Sequence, residues 1–177
     1  MFTMSQPTHP DRLEVIKGDQ PYSSSAKSLI SLPAGALFAK MASATVTEQH
    51  TYTSVATGIS SRIELNSDLV FCNHSCDPSL VFDITQLEVR VVDKRPLQVG
   101  DDLTFFYPSS EWDMVQPFQC GCGAGPNKCL GYISGAKHIH AELLNRYWLN
   151  DHVRDLMDER EKKQEVSRPA VAVAVSS

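Results

Sequence analysis

Asn73-His74-Ser75-Cys76-Asp77-Pro78 lies in mid-chain, and Cys120-Gly121-Cys122-Gly123 with Cys129 follows well downstream. Zinc is tetrahedral and binds thiolates, so a C-x-C pair plus a third cysteine a short loop away gives three ligands and leaves one position to fill. Cys76 is the natural fourth. Gly121, Gly123, Gly125 and Pro126 between the ligands let the backbone turn tightly around an ion. The expected site is one structural zinc on Cys76, Cys120, Cys122 and Cys129. Four thiolates leave no open position for water, so the metal would pin the later segment against the middle of the domain rather than take part in chemistry. The plainer alternative is a set of small apolar core residues that merely cluster.

A length of 177 residues with 42% hydrophobic content suits one globular domain with its own core. The net charge of -5 gives a mildly acidic surface, which argues against a nucleic-acid binder and allows a basic partner. No apolar run approaches the roughly 20 residues of a membrane span, and Met1 to Arg12 lacks the apolar core of a secretory signal. The chain reads as soluble and intracellular, cytoplasmic or nuclear. Five cysteines at such spacing suit a metal site better than a disulfide framework, with Cys72 a spare buried thiol.

Residues 1–11 are polar, carry two prolines and show no period, which predicts a disordered lead-in. From Arg12 to Tyr107, short apolar runs broken by turn residues predict a mainly β region: Leu13 to Ile16, Ala36 to Met41, Thr51 to Ala56, Leu69 to Cys72 and Gln86 to Asp93. The clearest alternation sets Leu87, Val89 and Val91 against Glu88 and Arg90. A turn at Pro96 to Asp101 then leads to a strand at Leu103 to Tyr107, expected to neighbour the one before it. Ile139, Leu143, Leu144, Tyr147 and Trp148 recur at helical spacing, and Val153, Leu156 and Met157 continue after a break near Asn150-Asp151. Residues 159–177 turn to charge and then to an Ala/Val alternation, which predicts a disordered tail.

Three motifs in order carry a family resemblance. Asn73-His74-Ser75-Cys76-Asp77-Pro78 resembles the Asn-His-Ser-Cys-x-Pro-Asn signature of SET domains, and Asp102-Leu103-Thr104-Phe105-Phe106-Tyr107 resembles their second motif. Cys120-Gly121-Cys122-Gly123, Cys129, Gly131 and Ile133 resemble the post-SET tail, whose cysteines share a zinc with that of the first motif. The resemblance implies a fold of small twisted sheets in which one segment threads a loop as a pseudoknot. It divides the chain into a SET-like domain at 12–118, a post-SET zinc segment at 119–135 and a C-terminal helical segment at 136–158.

Members of this family are typically S-adenosylmethionine-dependent protein lysine methyltransferases. Methyl transfer needs alignment more than acid or base power: a desolvated channel holds the reacting atoms in line, and polar oxygens around the methyl favour the transition state. The resemblance implies that Asn73 and His74 contact the cofactor and that Tyr107 sets its hydroxyl beside the transferring methyl. Phe105 falls where the family controls how many methyl groups fit, and Phe suits a roomier site. Phe106 is better read as core.

The glycine motif of the family departs most. Leu32-Pro33-Ala34-Gly35 matches the turn that follows it, which sets Ser23 and Ser25 where the two glycines belong. Serine adds a side chain where clearance is expected, although its hydroxyl can bind a cofactor carboxylate. Ser79, Val70 and Phe106 replace further polar positions, and the insert Lys40 to Leu69 is short. Three readings follow: a SET-type methyltransferase acting on a lysine or other amine, a SET-derived protein using a remodelled pocket for a small molecule without methyl transfer, and a non-catalytic module binding a basic peptide. Trp112 is a candidate stacking surface at the pocket rim beside Glu111 and Asp113. His138 and His140 read as exposed helix-entry residues, and Arg62 with Glu64 as an ion pair on a strand's polar face.

Overall fold

A computed structural model describes residues 6–20 and 22–167. The chain opens with β1 (Leu13–Ile16), β2 (Ser25–Ser28) and β3 (Leu37–Lys40), then the insert strands β4 (Thr45–Thr47), β5 (Ser54–Ala56) and β6 (Arg62–Glu64). The two motif strands β7 (Asn73–His74) and β10 (Thr104–Phe105) are to be distinguished from β8 (Leu80–Asp83) and β9 (Glu88–Val91), which lie between them in the chain. The short strands β11 (Phe118–Gln119) and β12 (Tyr132–Ile133) flank the late cysteines, before α1 (Ala141–Leu144) and α2 (Asp151–Ser167). The fold is mainly β, as expected, and its described strands are all short.

In β9 the predicted alternation holds for Val89 and Val91, which are buried against half-exposed Glu88 and Arg90, but Leu87 lies before the strand and is exposed; β8 alternates in the same way, with Leu80 and Phe82 buried. This is the period of two that drives one face of a strand into a core. β9 pairs antiparallel with β8 on one side and β3 on the other. β6 is likewise central in the insert, between β4 and β5. The sequence predicted β9 and the Leu103 to Tyr107 run as neighbours, but both edges of β9 are taken, and β10 pairs in parallel with β7. The Leu69 to Cys72 run, predicted as a strand, is a 3-10 turn over Asp68–Phe71 whose Leu69 is buried. A buried apolar run this short does not specify its backbone.

Two cores result. The larger holds Phe38, Met41, Leu69, Phe82, Val89 and Leu103, with Phe82 and Phe105 stacked at 4.0 Å. The smaller joins Phe106, Ala136, Leu144, Leu149, Val153 and Met157. Strand alternation divides the aromatic run, sending Phe105 into the first core and Phe106 into the second.

Asn150 locks the second core to the first. Its side chain donates to the carbonyls of Phe82 and Ser109, both at 3.0 Å, and accepts the amide of Ile84 at 2.9 Å. The predicted break falls beside it, and only Ala141–Leu144 of the preceding periodic stretch is α-helical. The helix after the break continues through Ser167, into the stretch 159–177 expected to be a disordered tail; residues 168–177 lie outside the described residues. In the lead-in, Thr8 and Asp68 exchange hydrogen bonds: the Thr8 amide donates to the Asp68 carboxylate at 2.7 Å, and the Asp68 amide donates to the Thr8 hydroxyl oxygen at 2.8 Å. Residues 1–5 lie outside the described residues. No helix among the described residues is long and apolar enough to cross a membrane.

Candidate functional site

The parallel pairing of β7 with β10 sets Asn73 opposite Thr104 and His74 opposite Phe105, and the Ser75 amide continues the ladder onto the Phe105 carbonyl at 3.0 Å. The first and second motifs therefore form one unit. The Asn73 side-chain amide donates to the Ser24 carbonyl at 2.9 Å, which adds the N-terminal serine segment to it.

His74 is only 8% exposed, and both ring nitrogens are engaged. Nδ1 accepts the Tyr107 amide at 3.2 Å, and Nε2 lies 3.4 Å from Cys76 Sγ. A neutral ring that accepts at Nδ1 carries its proton on Nε2, facing the sulfur. Burial lowers the imidazole pKa from 6.5 to about 4, so the ring is neutral at physiological pH. Tyr107 begins the 3-10 turn Tyr107–Ser109, and its carbonyl accepts the amides of Ser110 at 3.1 Å and Glu111 at 3.0 Å. Its ring centroid lies 5.3 Å from that of His74, 4.7 Å from Phe105 and 6.1 Å from Phe118. The hydroxyl donates to the Cys72 carbonyl at 3.4 Å. Burial pushes the phenol well above its ordinary range, so it stays protonated.

Ser23 turns its hydroxyl onto its own loop, donating to the Gln20 carbonyl at 2.7 Å and accepting the Gln20 amide at 3.1 Å. Space for it comes from Gly18, where an added Cβ would meet Ser23 Oγ. The Ser24 hydroxyl accepts the Gly18 amide at 3.2 Å, and Ser25 pairs with Ile16 in the β1–β2 ladder. A serine side chain at position 23 is thus absorbed by its own loop.

The other predicted residues divide. Phe105 lies beneath Tyr107 and is buried against Phe82. Trp112 is not gathered with His74 and Tyr107: it packs on the second core, with the Arg160 guanidinium 5.5 Å from its ring centroid. Asp113 is held by Lys137 at 2.8 Å and His138 at 3.0 Å, which lowers its carboxyl pKa through those hydrogen bonds. Arg62 pairs with Glu111 instead of Glu64, whose carboxylate accepts the Thr51 hydroxyl at 2.9 Å. Neither Glu111 nor Asn150 was singled out as a joint from sequence, because their partners are remote in the chain.

The four cysteine sulfurs lie within 4.8 Å of one another. Zn–S bonds of about 2.3 Å put tetrahedral sulfurs roughly 3.8 Å apart, and Cys76 and Cys120 are 3.9 Å apart. The four thiols therefore could hold a metal ion. Backbone amides point at them, Leu130 at Cys76 Sγ, 3.4 Å, and Cys76 at Cys122 Sγ, 3.5 Å, among them. Burial raises the Cys122 thiol, but the amides of Cys76 and Ala124 and the neighbouring thiols outweigh it and bring the pKa down to about 6. One thiolate is thus favoured before any metal arrives. Tyr147 secures the set from outside, its hydroxyl donating to the Cys76 carbonyl at 2.9 Å and its ring stacked on Phe106 at 3.8 Å.

With this geometry in view, the chain belongs to a family of methyltransferases. It is 60% identical over 155 residues to the methyltransferase flvH of Aspergillus flavus, a match that covers 88% of this chain and 86% of that one. A shorter stretch of 78 residues, 42% of this chain, is 35% identical to a histone-lysine N-methyltransferase specific for H3 lysine 36 from Debaryomyces hansenii, of which it spans 10%. No family model matches the chain.

Proposed function

We propose that this methyltransferase is of the SET type, takes its methyl group from S-adenosylmethionine and delivers it to an amine, either a lysine side chain or a small primary amine. The observation that carries the reading is the β7–β10 pairing, closed by the Tyr107 amide on His74 and extended to the Ser23–Ser25 segment through Asn73. Three segments to which the resemblance assigns one task are linked in pairs, Ser24 to Asn73 and His74 to Tyr107, which supports the reading.

The backbone of the Ser23–Ser25 segment, Asn73 and the backbone of His74 would hold the cofactor, since the Ser23 hydroxyl and both His74 ring nitrogens are engaged within the protein, and the cofactor when bound supplies a methyl group on a positively charged sulfur. The protonated Tyr107 hydroxyl offers oxygen lone pairs toward the positive charge on a transferring methyl, and its aromatic surround of His74, Phe105 and Phe118 excludes water. A neutral His74 adds no positive charge to a site that must accept a cation. The amine must arrive or become deprotonated to attack. Cys76, Cys120, Cys122 and Cys129 would hold one structural zinc, whose contribution is to fix the Cys76 end of the first motif.

Calorimetric titration with S-adenosylmethionine is expected to give stoichiometric heat, and no heat at millimolar cofactor overturns the reading. Labelled methyl transfer to a lysine-bearing peptide or to butylamine then identifies the acceptor class. Tyr107→Phe is expected to lower kcat roughly 100-fold while leaving cofactor affinity nearly unchanged, because the hydroxyl acts mainly in the transition state. Undiminished turnover in that variant removes Tyr107 from the chemistry.

A further inference from the structure

Arg62 is 7% exposed, and among the described residues its charge is met by one carboxylate, that of Glu111. The guanidinium grips it with both arms, Nη1 to Oε2 at 3.1 Å and Nη2 to Oε1 at 2.8 Å. Arg62 is itself held by Ser54, Nε donating to the hydroxyl at 2.9 Å and Nη2 to the carbonyl at 3.0 Å. Glu111 Oε1 also accepts the Ala56 amide at 2.9 Å. The carboxylate therefore binds both β5 and β6 of the insert sheet. Replacing a buried ion pair of this kind by apolar side chains of similar volume is often neutral or stabilising, so stability alone does not account for it.

The backbone of Glu111 supplies one. Its amide closes the turn onto the Tyr107 carbonyl at 3.0 Å, and its carbonyl accepts the Ala136 amide at 2.9 Å. One residue thus joins three parts: the insert sheet through its side chain, the tyrosine turn through its N–H and the segment after the cysteines through its C=O. We infer that Glu111 and Arg62 are positioning residues for Tyr107, a bidentate clasp that fixes the tyrosine turn against the insert sheet. The inference rests on the reading of Tyr107 as the residue beside the transferring methyl. Burial is the main reason the Tyr107 phenol stays protonated, and the Glu111 charge adds to it. Displacing a positioned group by about 1 Å is enough to cost roughly 100-fold in rate, so a clasp that does not touch substrate can still govern turnover.

The test separates holding the fold from holding the tyrosine. Arg62→Met with Glu111→Gln removes both charges and the two-armed fork to β6 while an acceptor remains for the Ala56 amide. This double variant is expected to melt near the wild-type temperature and to bind S-adenosylmethionine within about threefold of wild type, with kcat toward the acceptor used by wild type, lysine-bearing peptide or butylamine, down roughly 100-fold. Amide exchange at Ser110 and Glu111 is expected to quicken about tenfold. Arg62→Lys, which keeps the charge but loses the fork, is the second variant and is expected to show the same split between kcat and cofactor affinity. Wild-type kcat in either variant, or unchanged exchange at Ser110 and Glu111, overturns the inference. A wild-type protein that neither binds S-adenosylmethionine nor transfers methyl ends the methyltransferase reading instead, and the exchange comparison still decides whether the clasp holds the turn.

Discussion

Cys72 precedes the Asn73-His74 pair, is 1% exposed, and lends its carbonyl to the Tyr107 hydroxyl. Burial pushes its thiol from 9.0 up to about 12. Above pH 9 the unfolded chain releases this proton while the native protein keeps it, so the native state binds more protons and stability falls as pH rises. The zinc thiolates act alike on wild type and Cys72→Ala, so the difference in unfolding free energy between the two metal-loaded proteins, from urea titrations, is expected to hold level to about pH 8 and then to move against the wild type by up to about 1.4 kcal/mol per pH unit. Cys72→Ala is expected to flatten the onset between pH 9 and 10, before the buried tyrosines add their share; an unchanged onset would clear Cys72 of the effect. At this scale the motif residues were legible because their chemistry is local: a thiol or an imidazole announces its own uses. Arg62 was not, since the alternation of a strand tells which face a residue occupies but not that Glu111, far along the chain, will meet it.

Between elements, the decisive contacts are backbone ones. The Met114 amide donates to the Ser134 carbonyl at 3.0 Å and the Lys137 amide to the Trp112 carbonyl at 2.9 Å, so the chain after Tyr107 lies against the chain after the cysteines. Gly135 makes that approach possible: its φ is 110°, and a Cβ there would sit 2.5 Å from the Trp112 carbonyl oxygen. Gly135→Ala is expected to destabilise by about 2 to 4 kcal/mol, combining the strained dihedral with the clash, read as a lower urea midpoint at unchanged m-value. A loss under about 0.5 kcal/mol would mean that the crossing has slack. The pattern of short apolar runs between turn residues located β1, β3 and β9 and the break before α2, although β3 buries the adjacent Phe38 and Ala39 at a bulge and does not alternate. It paired β9 with the wrong partner because hydrogen-bond partners depend on how the chain crosses itself, and two-residue strands such as β7 and β10 have no period to read.

Across the whole molecule, the cysteine set joins the two cores. Cys76 follows the first-core motif directly, while Tyr147, which binds the Cys76 carbonyl, is packed on the second core. Metal analysis is expected to return one zinc per chain. Stripping it with a chelator, or Cys129→Ser, is expected to lower Tm by about 10 °C or more and to weaken protection of the 73–76 amides. A metal-free protein that melts at the same temperature would refute the zinc assignment. The spacing of the cysteines gave away this joint, and the resemblance indicated which motif it would serve. The brace from Tyr147 has no such signature, because an aromatic at helical spacing is ordinarily only core. That brace has a consequence for synthesis. The Asn73-His74 strand leaves the ribosome well before Tyr147, Asn150 and Val153, so the nascent chain carries an uncovered, thiol-rich centre until its helical end is translated. A premature stop codon between Ile133 and Tyr147 would therefore yield a polypeptide with every motif residue intact and nothing to close over them, a product for the proteolytic machinery and not a shorter enzyme.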